Sequence, residues 1–323
     1  MSGQIRPHSH LLGDIGGTHT RLTLYQDGQH GAIGRYRNRE FPDLTAVVRH
    51  HLASQNLPAP HSAILAVAGP LERDGSVTLT NRGWRLEPAA LAAALDLDAV
   101  RLVNDFTAQA LGIPRLAPDE RIALNPGEPW PHAPLAVIGP GTGLGVSGLL
   151  PHETGWLALA GEGGHVTLAP ANDRESALLD GLRREWGHVS AERVVSGPGL
   201  LALYNHLAAA AGAPALAAPP EVAMRAGRAA LADEALGYFF GFLGTVAGNL
   251  ALTLGARGGV YLCGGILPDL IEPLRASPFM ERFCAKGRYR DYLAAIPVYL
   301  VTAPDTAFRG LASLIPERAH PRR

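Results

Sequence analysis

Asp14-Ile15-Gly16-Gly17-Thr18-His19-Thr20-Arg21 is the stretch on which the reading of this chain turns. An apolar pair, Leu11 and Leu12, runs into a carboxylate, then two glycines, then a hydroxyl. Consecutive glycines let the backbone turn sharply and bring its N–H groups close to an anion. Asp14 is suited to hold a metal ion through water, and Thr18 to hydrogen-bond a phosphate oxygen. These are parts for gripping a nucleotide phosphate with Mg²⁺. The same residues also satisfy a plain hairpin turn, since Gly-Gly marks one.

A second glycine cluster downstream favours the first reading. Gly139-Pro140-Gly141-Thr142-Gly143-Leu144-Gly145 lacks the Gly-Lys-Ser/Thr ending of a Walker A loop. It is followed by a strand-like run rather than a helix, so it is not a dinucleotide fingerprint either. Both clusters fall between strand-like runs, as hairpin tips do. Two related halves, each offering a phosphate-binding hairpin, account for the echo. A third motif, Leu262-Cys263-Gly264-Gly265-Ile266-Leu267-Pro268, ends a buried strand-like run and precedes a helix. It is either a tight strand-to-helix turn or a flat seat for a ligand such as adenine.

Around these motifs strands and helices alternate, the pattern of an α/β fold. Strands are expected at His10–Gly13, Thr20–Tyr25, Ser62–Val67, Val77–Thr80, Arg101–Val103, Leu135–Ile138, Gly145–Leu150, Val166–Leu168, Val260–Cys263 and Val298–Leu300. Helices are expected at Leu44–Gln55, Pro88–Leu95, Ala108–Leu111, Arg174–Trp186, Pro198–Ala211, Pro219–Leu254 and Asp305–Ile315.

The polar residues supply chemistry. Asn104 and Asp105 end a strand. Gly161-Glu162-Gly163-Gly164-His165 places a carboxylate and an imidazole in one glycine-rich turn, and Ser190-Ala191-Glu192-Arg193 adds another acid. Carboxylates and amides chelate adjacent hydroxyls of a sugar, and phosphoryl transfer to such a hydroxyl needs a positioned base. Each residue also has a plainer reading: Asp105 as a helix cap, Glu192 as the partner of Arg193, His165 as a satisfied buried histidine.

Bulk properties exclude several classes. A net charge of −1 over 323 residues gives no electrostatic footprint for nucleic acid. Two cysteines, Cys263 and Cys284, form no CxxC pair, which argues against a disulfide scaffold or zinc knuckle and fits a reduced cytoplasmic setting. Residues 1–9 read as a loose tail rather than a signal peptide. Ala235–Ala256 carries no charge, yet five glycines and Asn249 interrupt it and its large residues recur at helical spacing. A buried core helix, partly at a subunit interface, is expected there rather than a membrane span.

Taken together, these motifs resemble bacterial glucokinases, within the superfamily of sugar kinases, actin and heat-shock ATPases. The resemblance runs from about Leu11 to Leu314. It rests on Gly13–Thr18, Thr80–Trp84, Asn104–Phe106, Gly139–Gly145, Gly161–His165, Glu192–Gly199 and Gly264–Ile266. It implies a two-domain actin-like (ribonuclease H-like) α/β fold with the active site in the interdomain cleft. Residues 1–110 plus 304–323 would form a small domain and 111–303 a large one. It further implies ATP-dependent phosphorylation of D-glucose. In that reading Asp105 is the base and Asn81, Asn104, Asp105, Glu162, His165 and Glu192 bind the sugar. Gly13, Asp14, Ile15, Gly16, Gly17, Thr18, Gly141, Thr142 and Gly143 surround the phosphates, with Mg²⁺ on Asp14 through water, and Gly264, Gly265 and Ile266 form part of the adenosine site. A homodimer without nucleic-acid or membrane partners is expected. A kinase for another hexose, or a non-catalytic sugar sensor of the same fold, is the alternative. The zinc-binding cysteines of the related repressor/kinase family are missing, so no structural zinc is expected.

Overall fold

The computed structural model describes residues 9–79, 83–153 and 155–316. The chain divides into two compact units, one running to Leu116 and resuming at Pro304, the other Ala117–Ala303. The first unit thus takes in the whole of the helix that ends at Gly112 and the 3₁₀ turn Ile113–Arg115 that follows it.

In the first unit, β1 (Ser9–Ile15) and β2 (His19–Gln26) form an antiparallel hairpin, to which β3 (Gln29–His30) and β4 (Gly34–Arg37) add through β2. After helix α1 (Leu44–Ser54), β5 (Ser62–Val67) lies parallel to β1. β6 (Val77–Leu79) and β7 (Trp84–Leu86) make a separate ribbon. Helix α2 (Pro88–Leu95) leads to β8 (Ala99–Asn104), parallel to β5, and α3 (Asp105–Gly112) follows directly. β1 is buried on both faces at its apolar pair: Leu11 joins the core with Val47 and Leu65, Leu12 the one with Ile64 and Val103. Each such side chain contributes about 1.5–3 kcal/mol by leaving water. Ser9 is fully buried and pairs with Gln26, so the strand begins inside the expected tail; residues 1–8 lie outside the described residues.

The second unit contains β9 (Arg121–Ala123), β10 (Leu135–Pro140), β11 (Leu144–His152) and β12 (Gly155–Ala160), then α4 (Asp173–Trp186), α5 (Ala191–Val194) and α6 (Gly197–Ala210). It continues through α7 (Pro219–Ala223), α8 (Ala230–Leu254), β13 (Gly259–Leu262), α9 (Ile271–Ala276), α10 (Phe279–Cys284), α11 (Arg290–Ala294) and β14 (Val298–Val301). Its sheet order, β12-β11-β10-β13-β14, repeats that of the first unit, β3-β2-β1-β5-β8: antiparallel over the first three strands and parallel over the last three. The hairpin β1–β2 thus corresponds to β10–β11. The expected continuous helix Pro219–Leu254 is broken between α7 and α8, where Gly227 takes φ +68° and its N–H is held by Asp233. By length and composition α8 could cross a membrane, but 67% of its most apolar window is buried inside the protein, with Phe239, Phe240 and Phe242 fully enclosed. It is a core helix.

The expected strand Val166–Leu168 is only a bridge, Thr167 to Ser190, flanked by Ala191 N–H to Val166 O and Leu168 N–H to Val189 O. The partner side is short, since only residues 187–190 separate α4 from α5.

The last helix, α12 (Thr306–Ala312), packs on α3. The two backbones touch: a β-carbon at Gly112 would collide with the Thr306 carbonyl, and one at Gly310 with the Ala108 carbonyl. Only glycine permits so close an approach. α3 is thereby seated, with Asp105 at its first turn.

Candidate active site

The tip of the first hairpin, Gly16–Thr18, is closed by Gly16 N–H to His19 O at 3.0 Å. A fully buried residue from further along the chain braces it. Asn38 donates its side-chain amide to Gly16 O (2.8 Å), accepts the Thr20 hydroxyl (2.9 Å), and donates its N–H to Thr18 O (2.9 Å). The carbonyls of Gly16 and Thr18 are thus turned onto the protein, which suits a loop that receives an anion. Thr18 is exposed. Gly13 sits tightly against Leu65 and Leu22, and Ile15 is fully buried with its carbonyl accepting Ala68 N–H.

Strand register places Asp14 opposite Arg21. One carboxylate oxygen of Asp14 accepts from both Arg21 Nε (3.0 Å) and Nη2. Arg21 also donates to Pro304 O (2.8 Å) and lies over Phe308. β4 adds Arg35 opposite Arg21 and Arg37 opposite His19. Partial burial, then Arg35, Arg37 and Arg39, hold the His19 imidazole below its usual pKa. The hairpin therefore stands beside a positive strip that favours phosphate.

At the end of β8, Asn104 and not Asp105 caps α3: its side-chain oxygen accepts Thr107 N–H at 3.1 Å. Asp105 is the first helical residue, and one carboxylate oxygen accepts Phe106 N–H at 2.8 Å. Asn104 Nδ2 makes only a long contact, 3.4 Å, to Gly69 O. Asn81 lies outside the described residues.

In the second unit, Gly141–Gly143 forms the corresponding tip, closed by Gly141 N–H to Gly143 O at 2.7 Å. The motif Glu192–Gly199 grips it at two points. Gly197 N–H, at the start of α6, donates to Gly141 O (2.8 Å), while Glu192 on α5 accepts Leu144 N–H through Oε2 (2.9 Å). A β-carbon at Gly143 would collide with that same Oε2. The other oxygen of Glu192 lies 3.8 Å from His165 Nδ1. His165 N–H donates to Glu162 O (3.0 Å), so Glu162 and His165 share one turn, both exposed. After β13, Gly264 is pressed against the Pro140 carbonyl at the base of the hairpin, and Ile266 lies 3.6 Å from where a β-carbon on Gly197 would stand. Cys263 is sealed from solvent, and burial pushes its thiol up to about 12, so it is inert.

Three motifs far apart in sequence thus meet in the second unit: the Gly141–Gly143 tip, the Glu162–His165 turn with Glu192, and Gly264–Ile266. The first unit brings Asp14 next to Gly16–Thr18 and sets Asn104 and Asp105 at the head of α3. Two residues escaped the sequence reading. Arg21 could have been found by counting across a three-residue tip from Asp14. Asn38 carries no local signal, because only the β2–β4 pairing brings it under the hairpin.

The glucokinase family profile matches residues 11–318. The chain belongs to the glucokinase family. A glucokinase from Paramagnetospirillum magneticum is 45% identical over 311 residues, 94% of this chain and 97% of that protein. One from Chromobacterium violaceum is 47% identical over 316 residues, 97% of this chain and 90% of that protein. Among solved structures, glucokinase from an Antarctic psychrotroph matches with a TM-score of 0.82 at 34% identity, over 95% of this chain and 98% of that one. The two-unit α/β architecture is therefore the actin-like sugar-kinase fold.

Proposed function

We propose that this protein transfers the γ-phosphoryl group of ATP to the 6-hydroxyl of D-glucose. The observation that carries this reading is the meeting of Glu192 with His165 beside a glycine hairpin, with Glu162 on the same turn as His165, in a chain of the glucokinase family. Two carboxylates and an imidazole are what adjacent sugar hydroxyls need, since each hydroxyl both donates and accepts. Asn104 Nδ2 adds a donor, its oxygen being committed to the α3 cap. Asp105 takes the proton of the 6-hydroxyl as the sugar oxygen bonds to the γ-phosphorus. The bond from that phosphorus to the bridging oxygen breaks, and ADP leaves.

The hairpin tips Gly16–Thr18 and Gly141–Gly143 hold the phosphates by backbone N–H groups, and Gly264–Ile266 offers backbone to the adenosine. Asp14 fits Mg²⁺ held through water: it is a hard oxygen donor with one oxygen fixed by Arg21. The ion would neutralise charge on the phosphate oxygens. Initial rates with a panel of hexoses and phosphoryl donors test the proposal, with ³¹P NMR of the product. Glucose with ATP should give the highest kcat/KM and yield glucose 6-phosphate. Equal or better kcat/KM with fructose, mannose or N-acetylglucosamine would overturn the assignment of the acceptor.

A further inference from the structure

Glu192 has two clients. Its Oε2 accepts the N–H of Leu144, the residue that leaves the Gly141–Gly143 tip, at 2.9 Å, and its Oε1 faces His165 Nδ1 at 3.8 Å. The side chain is about one-third exposed, so one oxygen can meet a ligand while the other stays on the hairpin. The contact is shape-selected as well: any side chain at position 143 would displace Oε2. The short helix that carries Glu192 is itself fixed. Its cap Ser190 accepts Arg193 N–H at 3.3 Å, and Ala191 N–H ties it to Val166 O, next to His165. Three residues beyond α5, Gly197 holds the other side of the tip through Gly141 O.

The geometry points to Glu192 as a positioning residue for the nucleotide-phosphate hairpin in addition to its part in the sugar shell, so that one carboxylate makes sugar binding and nucleotide binding interdependent. This rests on the reading given under Proposed function. A residue of the sugar shell alone would leave nucleotide affinity untouched when no sugar is present. A carboxylate that orders the hairpin would not.

The test is calorimetric titration of a non-hydrolysable ATP analogue without sugar, and of glucose without nucleotide. Glu192→Ala should weaken the analogue about 3- to 10-fold, the worth of roughly one hydrogen bond, and weaken glucose as well. Glu192→Gln keeps a carbonyl oxygen for Leu144 N–H. It should restore analogue affinity to within about twofold of wild type while glucose stays weakened. His165→Ala should weaken glucose only. A residue that merely supports the fold would not show this rescue split. Should Glu192→Ala fail to fold, Gly143→Ala carries the same test from the other side. Its methyl group dislodges Oε2, so it should weaken glucose at least threefold with no nucleotide present, although residue 143 belongs to the phosphate loop. Unchanged analogue affinity in Glu192→Ala, or unchanged glucose affinity in folded Gly143→Ala, would overturn the proposal. The nucleotide arm contains no sugar, so its result holds whichever hexose is the acceptor. A wild type that binds the analogue but no hexose would sink the glucose reading alone.

Discussion

The hairpins β1–β2 and β10–β11 occupy the same place in two sheets of the same strand order, yet they are equipped in opposite ways. The first carries its own charge. Asp14 and Arg21 face each other within it, Arg35 and Arg37 stand alongside on β4, and the buried amide of Asn38 braces it from below. The second has no ionisable residue from Gly139 to Gly145 and borrows its polarity from Glu192 and its bracing from Gly197. A repeated backbone thus serves two tasks. In the first unit charge is built into the strands beside the tip, which suits a metal and a reacting phosphate. In the second the tip is neutral and leans on a residue that also faces His165. The difference teaches that the halves share a scaffold for presenting backbone N–H groups, with charge built into the strands of one and supplied to the other from a distant helix.

The sharpest way to break this division is Asp105→Asn in the first unit. A lost general base costs on the order of 10²–10⁴ in rate, so kcat in a coupled assay should fall by that factor. Because Asn104 is the cap of α3, the substitution leaves the cap in place and its thermal midpoint should stay near wild type. Near-wild-type kcat would leave the mechanism without its base. Next in size is Asp14→Asn, which removes the charge that would organise Mg²⁺ through water while keeping an acceptor for Arg21. A drop of about 10- to 100-fold in kcat, partly recovered by raising Mg²⁺, is the expected outcome. No dependence on Mg²⁺ concentration would count against a metal there. Smaller again is Gly310→Ala, which forces a methyl group onto the Ala108 carbonyl and should cost about 1–3 kcal/mol in chemical denaturation. A neutral result would mean that α12 and α3 are loosely apposed.

The smallest effect separates the units by pH. His51 is fully buried in the first unit, where burial, then His50, lowers its pKa, and it accepts or shares the Tyr36 hydroxyl at 2.9 Å. The folded pKa lies below the unfolded value, so the unfolded chain binds the proton more readily. The stabilisation is complete above about pH 6.5 and is lost as pH falls through the folded pKa. Urea midpoints at pH 7.5 and 5.5 should differ more for wild type than for His51→Gln.

Much of this was legible in the chain. Leu11 and Leu12 announced a strand, and the two glycine clusters announced a repeated hairpin before any register was known. Ser62–Val67 and Pro88–Leu95 could be read to the residue, because apolar runs and an N-terminal proline mark them. What could not be read depended on tertiary pairing. Asn38 matters only once β4 lies on β2. The contact of Glu192 with the hairpin was hidden because its Leu144 partner is 48 residues away, leaving Arg193 as its plainer partner in sequence. The break between α7 and α8 hid in an alanine-rich stretch whose helical propensity outweighed Gly227. Asp105 was the residue whose plainer reading was a helix cap, and a shift of one residue in helix phase gives that role to Asn104.

The central proposal is that His165 serves sugar affinity and Asp105 serves phosphoryl transfer. Glucose dissociation constants, titrated without nucleotide, test it most directly on two variants side by side. Asp105→Asn should bind glucose within about threefold of wild type, because an amide still hydrogen-bonds the hydroxyl. His165→Ala should bind it about 10- to 150-fold more weakly, the cost of one hydrogen bond involving a charged group. The reverse pattern, glucose lost with Asp105→Asn and kept with His165→Ala, would contradict the account.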